Sequence, residues 1–569
     1  MAPNFWRLLL STMLLPHDIS ATRASKHDKM TLLLLLLLLL TASISFYIIL
    51  CRYRFSKLLQ TPIHNPIDSF HRSSTQVVIV GSGICGITAA KTFVQYGYTH
   101  ITILEASTEI GGVWRSDQYE GASLQGPYWM YQFADFAWPR DLVKGIISPG
   151  KAAVQEYIRR YAEKYNVFSK VDIKYQCRVK TAVRDAHRNS WIIHIAESDE
   201  VVEADILIMA IGNNSSGPII PCIPHEHKYR GHIVHSSEIG NGDILKSAHN
   251  IAIVGGSKSA YDIGQMQPHN TTLIMRTPHY WTPRWLLLLP FFDRIAYALF
   301  SGYKVNKSDR SWLTRVLDEV FMPLVAVGIN RPDSTSLLDD IMNGGGLHVC
   351  TTSKQYRNAK LWRLEKSQPK EFTENGLLLE NGQEVEADVV VFGTGFQPTR
   401  AFQETFEGIE LQDTLDDGLY LYKYIYHPKL PNVFFLGFKD PSLNMPSNAS
   451  IQSLWTICCA AGIAQLPPSN DMEEIISTRQ QNTRQSFPFS HRRAYYDFFL
   501  AGESSCDYSY TVDLLRDCKG VFDKRVASFW CHPANIWSSG AAFGAIFGAE
   551  IITDDESNNA VASDSTALV

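Results

Sequence analysis

Two strand–glycine-turn–helix units in one chain constrain this fold more than any other feature, because each is built to hold the pyrophosphate of a dinucleotide. The first runs Val77-Val78-Ile79-Val80 into Gly81-Ser82-Gly83-Ile84-Cys85-Gly86, and the next strand ends at Glu105. The second runs Ile251-Ala252-Ile253-Val254 into Gly255-Gly256-Ser257-Lys258-Ser259-Ala260. Continuous apolar runs of this kind are buried on both faces of a parallel sheet, and the helix that follows turns its positive end to the phosphates. The expected fold class is therefore α/β, with two Rossmann-like domains holding two nucleotides at once.

In the first turn Gly81 permits the bend, Gly83 admits the pyrophosphate, and Gly86 lets helix and strand pack. Glu105 is placed to accept the ribose hydroxyls. The sequel Gly111-Gly112-Val113-Trp114-Arg115 marks this nucleotide as FAD: the glycines allow close backbone approach, and Trp114 and Arg115 can pack on or bond the cofactor. In the second turn Ser257 replaces the middle glycine and Ala260 the last, which crowds the pyrophosphate without excluding it. Gly255, Gly256 and Ser259 complete that site. The following strand ends in Met275-Arg276-Thr277 and not in an acid. A guanidinium there pairs with a 2′-phosphate that a carboxylate would repel, so NADPH is expected in preference to NADH.

The remaining features bound the class. At 569 residues the chain suffices for about three to four domains. A net charge of −5 and a pI near 6.4 leave no broad basic field, which argues against nucleic acid. The ten cysteines include no C-x-x-C and no metal-ligand spacing, so neither a dithiol reductase nor a metal site is expected. Residues 30–51 are uncharged and include the leucine run Leu32 to Leu40. As a helix they reach roughly 32 Å, enough for a bilayer core of about 30 Å. A single-pass N-terminal transmembrane helix is expected, with a cleaved signal peptide as the alternative. Flanking Arg23, Lys26 and Lys29 nearly balance Arg52, Arg54 and Lys57, so orientation is not read from charge. Use of NADPH argues for a cytosolic catalytic portion on the endoplasmic reticulum.

The expected division is an anchor and linker over 1–74, an FAD domain over 75–248 and 388–552, an NADPH domain inserted at 249–387, and a disordered tail over 553–569. The reason for the insertion is that two late strands, Asp388 to Phe392 and Val433 to Leu436, close on Gly393-Thr394-Gly395 and Gly437. The apolar segment Trp285 to Gly302 is read as active-site cover, membrane contact or core.

Between the units stands Tyr229-Arg230-Gly231-His232-Ile233-Val234-His235, with Ile239 after it. This stretch resembles the linker fingerprint of class B flavin monooxygenases, FxGxxxHxxx and an aromatic; Tyr229 takes the phenylalanine place and Ile239 departs from the aromatic. The segments Leu124-Gln125-Gly126-Pro127 and Phe133 to Pro139 resemble plant-type flavin-containing monooxygenases. The resemblance implies that His235 couples domain movement, that Gln125 stands where many members carry an asparagine beside the flavin, and that Gly393 to Phe396 is an inter-domain junction. It implies an NADPH- and O2-dependent reaction, through a flavin C4a-hydroperoxide, on a nucleophilic nitrogen or sulfur of a small substrate. A Baeyer–Villiger enzyme acting on ketones, an NADPH oxidase and a non-catalytic FAD-binding membrane protein are the alternatives. Oligomeric state is not legible.

Overall fold

The computed structural model describes residues 73–276 and 361–486, less short gaps that include 125–127, 129–130, 213–216, 257 and 439–444, and adds pieces within 281–290, 348–358 and 510–518. The expected anchor at 30–51, most of the Trp285 to Gly302 segment and the tail at 553–569 lie outside the described residues. Among the described residues no helix is long and apolar enough to cross a membrane.

Two five-stranded parallel sheets organise the chain. The first has the order Val433–Phe435, Ile206–Met209, Gln76–Val80, His100–Leu104, Asp172–Lys174. The second has the order Arg363–Lys366, Thr271–Met275, Ile251–Val254, Val389–Phe392, His232–His235. Each gains a three-stranded antiparallel meander, at Val179–Asp185, Ser190–Ile195 and Val201–Ala204 for the first, and at Pro369–Phe372, Gly376–Leu379 and Glu384–Glu386 for the second. Both units thus repeat one plan: strand, helix, strand, meander, return strand. Because Ile206–Met209 and Val433–Phe435 pair in the first sheet, the second sheet is inserted between strands of the first.

The two-residue period of a strand sorts the first sheet's apolar side chains. Val77 and Ile79 join the core under the helix Ile84–Gln95, and Val78 and Val80 join the core under the meander. The helix Met445–Ala460 packs against Ile84–Gln95 and is buried on nearly all faces. Trp191 of the first meander closes the other side, its indole N–H donating to the Pro431 carbonyl at 2.9 Å.

Two features differ from what local sequence suggests. The apolar run Ala204 to Met209 is cut at Asp205: Val201–Ala204 joins the meander and Ile206–Met209 the parallel sheet. The Asp205 carboxylate meanwhile accepts from the Gln76 N–H at 2.7 Å. The run Val389–Phe392, expected to return to the first domain, pairs with Ile251–Val254 and His232–His235 in the second sheet. The second sheet therefore extends from His232 to Phe392, past the expected limits of 249 and 387 on both sides. An apolar strand buried on both faces carries nothing in its side chains that names its partner.

Candidate functional site

The first glycine turn is held by contacts that forbid side chains. Gly81 has φ +100°, and a Cβ there would stand 2.7 Å from the Ala210 carbonyl oxygen. A Cβ on Gly86 would lie 1.9 Å from the Gly81 carbonyl oxygen. Gly83 faces Gly112, whose own Cβ would come within 3.1 Å of the Gly83 Cα, and the Gly111 N–H donates to the Ser82 carbonyl at 3.1 Å. Two glycine stretches thus meet at the N-terminal turn of the helix that starts at Ile84, leaving bare backbone where side chains would stand.

Glu105 is buried beside this turn. One carboxylate oxygen accepts from the Ser82 N–H and hydroxyl at 2.7 and 2.5 Å, the other from the Ser107 N–H and hydroxyl at 2.8 and 2.6 Å. An anchored carboxylate, bare backbone and a helix N-terminus are the groups an adenine dinucleotide needs, so the residues present fit FAD. Trp114 is half-buried, with its indole N–H on the Tyr131 hydroxyl at 3.2 Å. Arg115 is engaged in a fork with Asp117, at 3.0 and 3.2 Å. Gln125 lies outside the described residues; on either side, Leu124 N–H donates to the Pro149 carbonyl at 3.0 Å and Tyr128 N–H to the Ile147 carbonyl at 2.9 Å.

In the second turn Gly255 has φ +138°, and a Cβ would stand 2.3 Å from the Gly393 carbonyl oxygen. Gly393 explains the alanine in the last turn position: a Cβ on Gly393 would come within 2.8 Å of the Ala260 Cβ, so the room one glycine gives up is supplied by another. Gly256 is partly buried beside it, Ser259 lies on the helix Lys258–Gly264, and Ser257 and Thr277 lie outside the described residues. Arg276 is exposed directly after the strand Thr271–Met275. The register pairs Met275 with Lys366, which sets a second cation at the same sheet edge as Arg276. Sequence reasoning missed Lys366 because strand neighbours are set by pairing; a cation ending a polar strand was the one available signal.

The linker histidine is buried. Its Nδ1 accepts from the Ser237 N–H at 3.2 Å, which leaves Nε2 to donate to the Gly395 carbonyl at 3.1 Å. That carbonyl also accepts from the Ile219 N–H at 2.9 Å, and the His235 ring meets Phe396 edge-on at 4.9 Å. His235 therefore ties the incoming linker to Gly395 of the outgoing one. Gly231 is required by Tyr229, whose hydroxyl would stand 2.3 Å from a Cβ there while donating to the Ala387 carbonyl at 2.9 Å. Ile239 is buried in the second unit's core, where an aliphatic chain serves in place of the fingerprint aromatic. Among the described residues no cluster of His, Cys, Asp and Glu could hold a metal ion.

Burial depresses the pKa of His235, and burial with the Lys429 cation brings His427 to about 4. Each keeps its neutral form to lower pH in the fold than in the unfolded chain, which takes up protons below about pH 6.5, so stability is full above that pH and falls as the pH drops, for His427 toward about 4. Thermal midpoints measured from pH 7.5 to 4.5 should decline over this window. His427→Gln should flatten the decline, and an unchanged slope in that variant would contradict the assignment.

Two glycine turns, each at the carboxyl edge of its own parallel sheet, with an anchored acid at one and a basic edge at the other, define a two-nucleotide oxidoreductase. A profile of the flavin-binding monooxygenase-like family matches residues 74–283 and 363–501, more than half of the sequence, and the chain belongs to that family. It is an FAD- and NADPH-dependent monooxygenase. The chain is 24% identical over 492 residues to a probable flavin-containing monooxygenase 1 of Arabidopsis thaliana, covering 75% of this chain and 90% of the relative. It is 23% identical over 451 residues to flavin-containing monooxygenase 1 of Sus scrofa, covering 75% and 81%. Among solved structures it resembles a closed cyclohexanone monooxygenase at 16% identity and a TM-score of 0.58, over 78% of this chain and 96% of the other. An oxidised steroid monooxygenase bound to NADP resembles it at 17% identity and a TM-score of 0.58, over 78% and 98%. At such identities the structural likeness concerns the fold.

Proposed function

We propose that this enzyme transfers one atom of O2 to a nucleophilic nitrogen or sulfur of a small substrate, and that the segment at 30–51 anchors it to the endoplasmic reticulum membrane with the catalytic portion in the cytosol. The observation that carries the choice of substrate is the linker. It ends in Ile239-Gly240, with Ile239 in an aliphatic core, and supplies none of the tryptophan- or proline-containing text with which Baeyer–Villiger fingerprints usually end. The wider match to flavin-containing monooxygenases supports the same reading.

When bound, FAD reduced by NADPH supplies the two electrons that activate O2, one oxygen atom passing to the substrate and the other leaving as water. The protein's part is binding, orientation and dryness. Gly81, Gly83, Gly86 and Gly112 give the flavin nucleotide its backbone cradle, and Glu105 fixes the ribose. Gly255, Gly256, Ser257 and Ser259 hold the second pyrophosphate, and Arg276 with Lys366 and Thr277 receives the 2′-phosphate. His235 holds the crossing between the units, Trp114 and Arg115 are assigned to the flavin side by their place in the motif, and the family resemblance assigns Gln125 there. This chemistry calls for no protein nucleophile or metal.

Arg276→Ala should raise the KM for NADPH by about tenfold to a hundredfold, the size of a charge-assisted hydrogen bond, and leave that for NADH within about twofold. Equal effects on both nucleotides would show that Arg276 does not read the phosphate. The function is tested by turnover with a tertiary amine, a thioether and a cyclic ketone, following NADPH, oxygenated product and free peroxide. Coupled oxidation of the amine or thioether is expected. Lactone formation from the ketone alone would assign the Baeyer–Villiger reaction, and full recovery of NADPH electrons as peroxide with every substrate would assign an oxidase.

A further inference from the structure

The segment directly after the flavin motif leaves its own unit and enters the other. Its root is firmly held in the first unit. Ser116 donates to the Glu109 carboxylate through its N–H at 2.7 Å and its hydroxyl at 2.6 Å, and Lys151 donates to the carbonyls of Ser116 at 2.9 Å and of Gln118. Its tip reaches the nicotinamide side. Tyr119 packs its ring into the second unit's core, against a cluster that includes Ile239, Leu245 and Ile263. Its hydroxyl donates to Asp262 Oδ2 at 3.3 Å, and the next residue, Glu120, donates its N–H to the Gly240 carbonyl at 3.1 Å.

Asp262 makes this contact more than packing. Its carboxylate is buried on the helix that begins at the second glycine turn, one turn after Lys258, whose ammonium pairs with the same Oδ2. Lys258 stands at the helix N-terminus, where the helix dipole disfavours a cation, so the buried carboxylate both holds it and needs it. The Tyr119 hydroxyl joins that pair from the other unit. Only Ser116, Asp117 and Gln118 separate Arg115 of the flavin motif from Tyr119, so one short rooted arm connects the flavin cradle to the helix beneath the NADPH pyrophosphate.

We propose that Tyr119 is a positioning residue, an inter-unit latch that sets the NADPH-binding helix against the flavin cradle through Asp262 and Lys258. This rests on the NADPH reading above. With the latch made, nicotinamide and flavin are held in register and the oxidised nucleotide is retained; with it broken, the helix Lys258–Gly264 is free to shift and its nucleotide binds less tightly. The role is separate from that of His235, which ties linker to linker at the Gly395 carbonyl.

The test uses the full-length, FAD-loaded protein and three variants, Tyr119→Phe, Asp262→Ala and the double variant. NADP+ affinity is measured by calorimetry without turnover, alongside amide hydrogen exchange over residues 115–121 and 258–264. Tyr119→Phe keeps the ring in its core and should weaken NADP+ binding roughly tenfold, the size of one hydrogen bond to a charged group, with FAD content unchanged. It should also speed exchange in both segments, and a larger share of NADPH electrons should leave as peroxide. The double variant should be no worse than Asp262→Ala alone, since alanine removes the acceptor of the Tyr119 hydroxyl and both single changes abolish that interaction. Unchanged exchange in Tyr119→Phe, or strictly additive effects in the double variant, would overturn the latch. Failure of the unaltered protein to bind NADP+ would instead overturn the nucleotide reading, because the exchange experiment needs no nucleotide.

Discussion

Gly86→Ala is expected to yield a protein that purifies without FAD. The added methyl would start 1.9 Å from the Gly81 carbonyl oxygen and 2.9 Å from its carbonyl carbon, and both obstacles are backbone, so no rotamer relieves the clash. Helix Ile84–Gln95 would have to move off the strand Gln76–Val80, and that movement opens the gap the pyrophosphate bridges. Overpacking in a core typically costs about 1–3 kcal/mol, and here the strain falls on the binding turn itself. A flavin content below about a tenth of the unaltered protein's is the expected result, on the order of the tenfold change that 1.4 kcal/mol produces. A yellow, fully loaded variant would show that this turn does not hold the cofactor. The contrast with Ala260 is instructive, since the same methyl is accommodated in the second unit where Gly393 lies opposite.

Lys91→Met should destabilise the first unit by about 3–5 kcal/mol, the cost of stripping one partner from a buried ion pair. Lys91 lies on the helix of the first glycine turn, and its ammonium pairs with Asp135; the two side chains are only 4% and 1% exposed. Tyr165 adds a ring face 4.8 Å from the ammonium. Around them Phe133, Phe136 and Trp138 stack on Tyr157 and Tyr161. Methionine replaces the stem and leaves the Asp135 carboxylate without its cation, which should lower the thermal midpoint by on the order of 10 °C. Lys91→Met combined with Asp135→Asn should regain much of that loss, because the stranded charge is gone. A single variant as stable as the parent would mean that the pair contributes nothing net. Nothing in the sequence marked Lys91 as anything other than a helical surface lysine, and its burial is a consequence of the loop at 131–139 folding over it.

That example shows where legibility ended. Both glycine turns, their strands and Glu105 could be read because local chemistry fixes them: a tight turn, a close backbone approach and an acid at a strand end each demand a residue type at a set spacing. His235 was legible through its surrounding motif, although its partner, the Gly395 carbonyl, was not. Sheet membership of Val389–Phe392, the pairing of Lys366 beside Met275 and the reach of Tyr119 into the second unit all depend on contacts between distant segments. Ser107 was not legible either, yet with Ser82 it fixes the Glu105 carboxylate through two hydroxyls and two N–H groups. A serine near a glycine turn has too many ordinary uses for its spacing to announce this one.

The central claim is that a flavin and a phosphorylated nicotinamide nucleotide face each other across the two units. Anaerobic mixing of the purified protein with NADPH, followed at the flavin absorbance, tests it most directly. The account predicts that one FAD per chain is bleached by one equivalent of NADPH, much more slowly by NADH, and that colour returns on admitting air. Protein that carries no flavin, or whose flavin keeps its colour under excess NADPH, would contradict it.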